Sequence, residues 1–105
     1  MSPEHRKYPR VGKPLEAQWR GASGSSACRI ADLSWGGCFI QSLAEPAVGE
    51  HTTVSTVIGD REVTLTGSVI YRELAIGFGI QFDPLSRDQM DVLKDLLGVP
   101  PDFLT

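Results

Sequence analysis

The sequence predicts an all-β fold, a sandwich or small barrel, followed by one helix. Three observations carry this. Between residues 15 and 82 the chain runs in short segments rich in β-formers, each broken by turn residues. Residues 62–71 alternate with period two, which sets Val63, Leu65, Gly67, Val69 and Tyr71 on a core face and Glu62, Thr64, Thr66, Ser68 and Ile70 on the other. After Asp83-Pro84 the period lengthens to that of a helix.

The 105 residues suit one domain, at roughly 100–200 residues each, divided into an arm (1–14), a β region (15–83) and a helix (86–97). The arm contains Pro3, Pro9, Gly12 and Pro14 and has no apolar periodicity. Strands are predicted at 15–20, 26–33, 38–42, 52–58, 62–71 and 76–82, with Trp19 in the core. Residues 21–25, all Gly, Ala or Ser, read as a flexible loop. Gly59-Asp60 reads as a two-residue hairpin turn, because glycine supplies the positive φ that such a turn demands. At the C-terminal end Ser86 and Gln89 form a capping box, and Leu85 and Met90 hold the positions of a hydrophobic staple. Met90, Leu93, Leu96 and Leu97 supply an apolar stripe to cover an open end or seam of the β structure, and Gly98 with Pro100-Pro101 stops the helix.

Charge is distributed unevenly. Arg6, Lys7, Arg10, Lys13 and Arg20 face only Glu4 and Glu16 in the first twenty residues, and the remainder is acidic enough to bring the whole chain to −3. An acidic body argues against binding of polymeric nucleic acid, in which each neutralised phosphate needs its own cation, whereas the basic arm suits a small anion. No Cys-x-x-Cys or His-x-x-x-His spacing assembles a zinc site, so no metal is expected, and Cys28 and Cys38 read as small packing groups in a reducing compartment. No apolar run approaches the roughly 20 residues of a membrane span, and no signal-peptide stretch opens the sequence, which together read as cytoplasmic with no membrane insertion. Ser34 is not in a Gly-x-Ser-x-Gly elbow, no Walker loop is present, and His51 reads as a surface histidine without an obvious partner, so no catalytic residue is assigned and no enzyme is expected.

Two short constellations carry recognisable chemistry. Arg6-Lys7-Tyr8-Pro9-Arg10 sets two guanidinium groups four residues apart in a segment that Pro9 keeps extended. Guanidinium stays charged, forks onto phosphate oxygens or onto O6 and N7 of guanine, and stacks on bases. Asp32-Leu33-Ser34-Trp35-Gly36-Gly37 lies at the junction of the second and third strands. There a carboxylate can accept from N1 and N2 of guanine, the Ser34 hydroxyl can bond a phosphate or base, and Gly37 would let a ligand approach the backbone. The competing reading is a local Asx or Ser turn that satisfies its own backbone.

Taken together, Arg-x-x-x-Arg in the arm and Asp-x-Ser-x-x-Gly in a β-rich chain of this length resemble the PilZ domain, a bacterial receptor module for cyclic di-GMP. The resemblance runs from about residue 5 to 97 and includes Glu45-Pro46-Ala47-Val48-Gly49-Glu50, Thr66-Gly67-Ser68-Val69-Ile70-Tyr71-Arg72 and Gly77-Phe78-Gly79-Ile80-Gln81-Phe82. It implies a six-stranded antiparallel split β-barrel with a C-terminal α-helix. It further implies a non-catalytic receptor without a cofactor, in which Arg6 and Arg10 grip phosphates and guanines while Asp32, Ser34 and Gly37 surround one guanine, and which signals to a protein partner. His5 stands where many members carry a further arginine, which leaves the number of nucleotides bound open. Trp35 and Tyr71 are candidates for stacking on a base or for burial. The alternative is a degenerate member, a protein-interaction adaptor that does not bind nucleotide; a barrel for single-stranded nucleic acid would need more basic and aromatic residues on the body.

Overall fold

The structure, a computed structural model, describes residues 14–98. Six strands, β1 (Leu15–Gly21), β2 (Gly24–Leu33), β3 (Gly37–Gln41), β4 (His51–Ile58), β5 (Arg61–Glu73) and β6 (Gly77–Phe82), precede one helix, α1 (Arg87–Leu97). Every neighbouring pair is antiparallel, and the order β1-β2-β3-β6-β5-β4 closes on itself through β1 and β4, which leaves no open sheet edge. The predicted antiparallel barrel with its C-terminal helix is the observed fold.

Inward positions of all six strands build one core. Trp19, Ile30, Ile40, Leu65, Val69 and Phe78 are buried at its centre, and Trp19 meets Phe78 edge-on with ring centroids 5.5 Å apart. Cys28 and Cys38 are unpaired and buried. Burial, reinforced by the charge of Glu16, pushes the Cys28 thiol up to about 11, and burial drives the Cys38 thiol higher still. Both therefore stay protonated at neutral pH and serve as packing groups.

Several boundaries differ from the sequence expectation, each for a local reason. The expected loop over 21–25 is a two-residue turn, because Gly21 pairs with Gly24 and the strands run on to the turn at Ala22-Ser23. Glu50 secures that turn: its carboxylate accepts from the N–H and the hydroxyl of Ser23, each at 3.0 Å, and from the N–H of Ala47 at 3.1 Å. These donors, the Ser23 amide first, hold the Glu50 carboxyl below its usual range. The Gly59-Asp60 turn is as expected, with Gly59 at φ 65°. His51 opens β4 and has a partner that sequence reasoning missed, since its Nε2 lies 2.7 Å from Oδ2 of Asp83, the same oxygen that accepts from the Thr66 hydroxyl at 2.8 Å. Asp83 lies 32 residues away in sequence, so only the pairing of β5 with both β4 and β6 reveals the contact.

The helix is capped as expected. Ser86 accepts from the Gln89 N–H at 3.0 Å while the Gln89 side chain accepts from the Ser86 N–H at 2.7 Å, and Gln89 Nε2 also donates to the Thr64 carbonyl at 2.6 Å. The helix packs against β4 and β5 through Val92, Leu93 and Leu97, with Met90 partly buried beside them. Leu96, expected on the stripe, is 38% exposed, and Val92 takes its place in the contact.

Two measurements test these packing assignments. Leu93→Ala should lower unfolding stability by about 2–5 kcal/mol in urea melts, whereas Leu96→Ala should change it by less than about 1 kcal/mol. Because the His51 contact, then the Thr66 hydroxyl, hold the Asp83 carboxyl below its usual value, Asp83 stabilises the fold above the ordinary carboxylate range. That contribution is lost as pH falls through the depressed value. Between pH 7 and pH 3 the Tm of Asp83→Asn should therefore fall less than that of the wild type.

Candidate functional site

Two β-bulges decide what the barrel shows to solvent on one side. In β2, Ile30 pairs with Ile40 and Asp32 with Phe39, so Ala31 and Asp32 together oppose a single residue of β3. In β5, Val69 pairs with Ile80 and Tyr71 with Gly79, so Ile70 is the extra residue. Simple alternation would turn both Asp32 and Tyr71 toward the core; an inserted residue reverses the face of everything after it. Tyr71, expected on the core face, is accordingly on the outside and 45% exposed. Leu33, not Asp32, is the buried residue that follows.

The result is one cross-strand row on the outer surface: Asp32 of β2, Phe39 of β3, Gly79 of β6 and Tyr71 of β5 are successive partners. The Phe39 and Tyr71 rings stack across the row, centroids 6.1 Å apart and planes 24° from parallel. Gly79 lies buried beneath the Tyr71 ring, where a methyl group would overlap Cε2 and come within 2.6 Å of Cζ.

Beside this row the β2–β3 connection folds back on itself. The Ser34 N–H and hydroxyl both donate to the Gly37 carbonyl, at 2.9 and 3.3 Å, and the Gly36 carbonyl accepts from Phe82 N–H at 2.9 Å. Ser34 thus satisfies a local turn, as the competing reading expected, while its oxygen keeps acceptor capacity. Trp35, in the middle of this turn, is only 8% exposed and packs inward, so it presents no ring to the surface. Gly37 answers to a different constraint from the one read in the sequence. A side chain there would overlap the carbonyl oxygen of Ile80, so the neighbouring strand requires glycine irrespective of any ligand.

Asp32, Ser34 and Gly37 line one open groove of about 340 Å³ together with Ile70, Tyr71 and Gln81. Among the described residues no lysine or arginine lines it. From the described residues the groove therefore draws a carboxylate, a hydroxyl, an amide and an aromatic face, which suits the edge and face of a heterocycle, and no cation. Arg6 and Arg10, with His5, lie outside the described residues. Among the described residues no group of three His, Cys, Asp or Glu side chains is placed to hold a metal, and no helix is long and apolar enough to cross a membrane.

The assignment of Gly37 to strand packing has a direct test. Gly37→Ala should destabilise the fold by about 1–3 kcal/mol in urea melts, whereas Gly36→Ala, which meets open space, should stay within about 0.5 kcal/mol of wild type.

Comparison with known proteins agrees with this geometry. The solved PilZ domain of CeSA from a cellulose-synthesizing bacterium superposes with a TM-score of 0.66 at 18% identity, over 84% of this chain and 94% of that one. The Bacillus subtilis inhibitor of motility, MotI/DgrA, superposes with a TM-score of 0.62 at 13% identity, over 86% of this chain, which spans 48% of that protein. No curated protein sequence matches. At these identities the two structures speak for the fold alone. The sequence itself matches the PilZ domain over residues 4–98, and the chain belongs to the PilZ-domain family.

Proposed function

We propose that this protein is a non-catalytic receptor for cyclic di-GMP. The observation that carries the reading is the convergence of Asp32, Ser34 and Gly37 on one groove of the barrel surface. β1 begins at Leu15, which pairs with Ile30, two residues before Asp32, so the start of β1 lies on the strand next to the one that carries Asp32. Arg10 is four residues upstream of Pro14 and Arg6 eight. At about 3.3 Å per residue their Cα atoms reach up to about 13 and 26 Å from it, before the length of the side chains is added.

In this reading Asp32 accepts from N1–H and N2–H of one guanine, the Ser34 oxygen and the Gly37 backbone border the same base, and Arg6 and Arg10 bring positive charge to the phosphates. The ligand carries two phosphates, so the division of labour follows from chemistry: the barrel reads the base and the arm neutralises the anion. Binding then draws the arm onto the barrel and presents the closed surface to a protein partner. The change can be driven only as far as the nucleotide prefers the closed state over the open one.

One observation favours the adaptor reading. Leu43 and Leu74, each 84% exposed, line a second depression between the β3–β4 loop and the β5–β6 turn, an apolar surface that a partner could cover without nucleotide.

Isothermal titration with cyclic di-GMP separates the two readings. The receptor gives a saturable heat whose stoichiometry also counts the nucleotides bound, and the adaptor gives none. A guanidinium fork contributes roughly 1–3 kcal/mol, so Arg6→Ala and Arg10→Ala should each weaken binding about fivefold to more than a hundredfold. Equal affinity in both variants and the wild type would refute the roles given to the arm.

A further inference from the structure

The end of the barrel away from the helix carries an apolar depression. β5 runs from Arg61, whose ion pair with Asp91 marks the helix end, to Glu73, where the β5–β6 turn stands beside the loop that follows β3. Leu43 and Ala44 of the loop and Leu74 and Ala75 of the turn line a depression of about 160 Å³. Both leucines are almost wholly exposed, and Ile76, next to the turn, is largely so.

Both segments are tied down. Ile76 N–H donates to the Glu73 carbonyl at 2.9 Å and closes the turn, in which Ala75 holds φ 65°, a left-handed conformation that favours glycine. The loop is pinned by Ala44 N–H on the Ser42 hydroxyl at 3.0 Å and by Arg72, whose Nη1 donates to the Pro46 carbonyl at 3.3 Å. Turn positions ordinarily take glycine or short polar residues, whereas this turn displays Leu and Ala. Each leucine left in water forgoes the stabilisation that burial against another surface would give.

The charge around the depression decides what can cover it. Glu45 and Glu73 stand on its rim, and the one cation lining it among the described residues, Arg72, is turned onto the carbonyls of the loop. Beyond its first twenty residues the chain has eleven acidic side chains and five basic ones, so the surrounding field is negative as well. A second copy is disfavoured, because a two-fold contact sets the same patch on both subunits and brings rim carboxylates against each other. An acidic partner is disfavoured for the same reason.

We infer that this depression docks a cationic amphipathic segment of another protein. One leucine- or ring-sized side chain seats between Leu43 and Leu74, and lysine or arginine residues beside it reach Glu45 and Glu73. An apolar cavity of roughly 150 Å³ accepts a group the size of benzene, so there is room for one such side chain. The pinned loop and turn are already ordered, which limits the freedom lost on docking. The contact needs no nucleotide, so it holds under the receptor and the adaptor reading alike.

The test is NMR titration of the isotope-labelled full chain, without nucleotide, with a synthetic amphipathic helix of leucine and lysine and with its counterpart in which glutamate replaces lysine. The lysine peptide should shift the amide resonances of residues 42–45 and 72–77 saturably, and the glutamate peptide should not. Leu74→Ser should weaken the lysine peptide about tenfold to a hundredfold, the loss expected for one buried leucine, while melting like the wild type. Glu45→Lys combined with Glu73→Lys should weaken it about fivefold and flatten its salt dependence. An absence of shifts, shifts centred elsewhere, equal binding of both peptides, or full affinity in Leu74→Ser overturns the docking site. So does a wild type that dimerises in sedimentation equilibrium and is returned to monomer by Leu74→Ser, since the patch then belongs to a second copy. Because no cyclic di-GMP enters the titration, each of these outcomes leaves the receptor reading untouched.

Discussion

Strand alternation is the constraint on which the rest of this structure depends, and the two places where it is broken define the candidate site. A six-stranded closed barrel of this length has little tolerance for polar residues inside, so each strand must keep its apolar residues in phase with the core. Insertion of Ala31 and of Ile70 changes that phase once in β2 and once in β5, close to where each strand meets the groove. Asp32 and Tyr71 are thereby brought to the outer surface while Leu33 and Ile80 remain buried on the ladders beside them. The ladder irregularity costs backbone pairing, and bulges of this kind characteristically re-aim side chains beside functional surfaces.

Closure itself is secured by contacts far apart in sequence. Glu50 gathers the β1–β2 turn and the β3–β4 loop onto one carboxylate, and Asp83 joins the first residue of β4 to Thr66 of β5 and to the segment leading into the helix. Both carboxyls are exposed and accept several donors, which holds the loops in place without burying charge. The helix covers the β4–β5 side through three buried aliphatic residues, and its N-terminal half is tied to β5 by Gln89 and by the Arg61–Asp91 ion pair at 3.0 Å. The groove side is left free of the helix.

The electrostatic arrangement separates two tasks. Among the described residues the groove holds a carboxylate, a hydroxyl and an aromatic ring and no cation, and the positive charge of the chain is concentrated in its first twenty residues. A ligand that is both heterocyclic and anionic needs contributions from each. On the proposed reading, affinity depends on bringing two parts of the chain together, which is the physical requirement for coupling binding to a change of shape.

Much of this was legible in the sequence. Turn residues and period two located all six strands to within two residues. The capping box named the start of the helix, and Asp-x-Ser-x-x-Gly with Arg-x-x-x-Arg pointed to the family and to the groove residues Asp32, Ser34 and Gly37. Local chemistry determines such features, because a turn, a cap or a strand face is decided by residues a few positions apart. The outward turn of Tyr71, the burial of Trp35, the reason for Gly37, the partner of His51 and the substitution of Val92 for Leu96 in the helix contact were decided only by tertiary structure. Each depends on which residue of a distant strand stands opposite, and a bulge leaves no signature in period two until its partner strand sets the register.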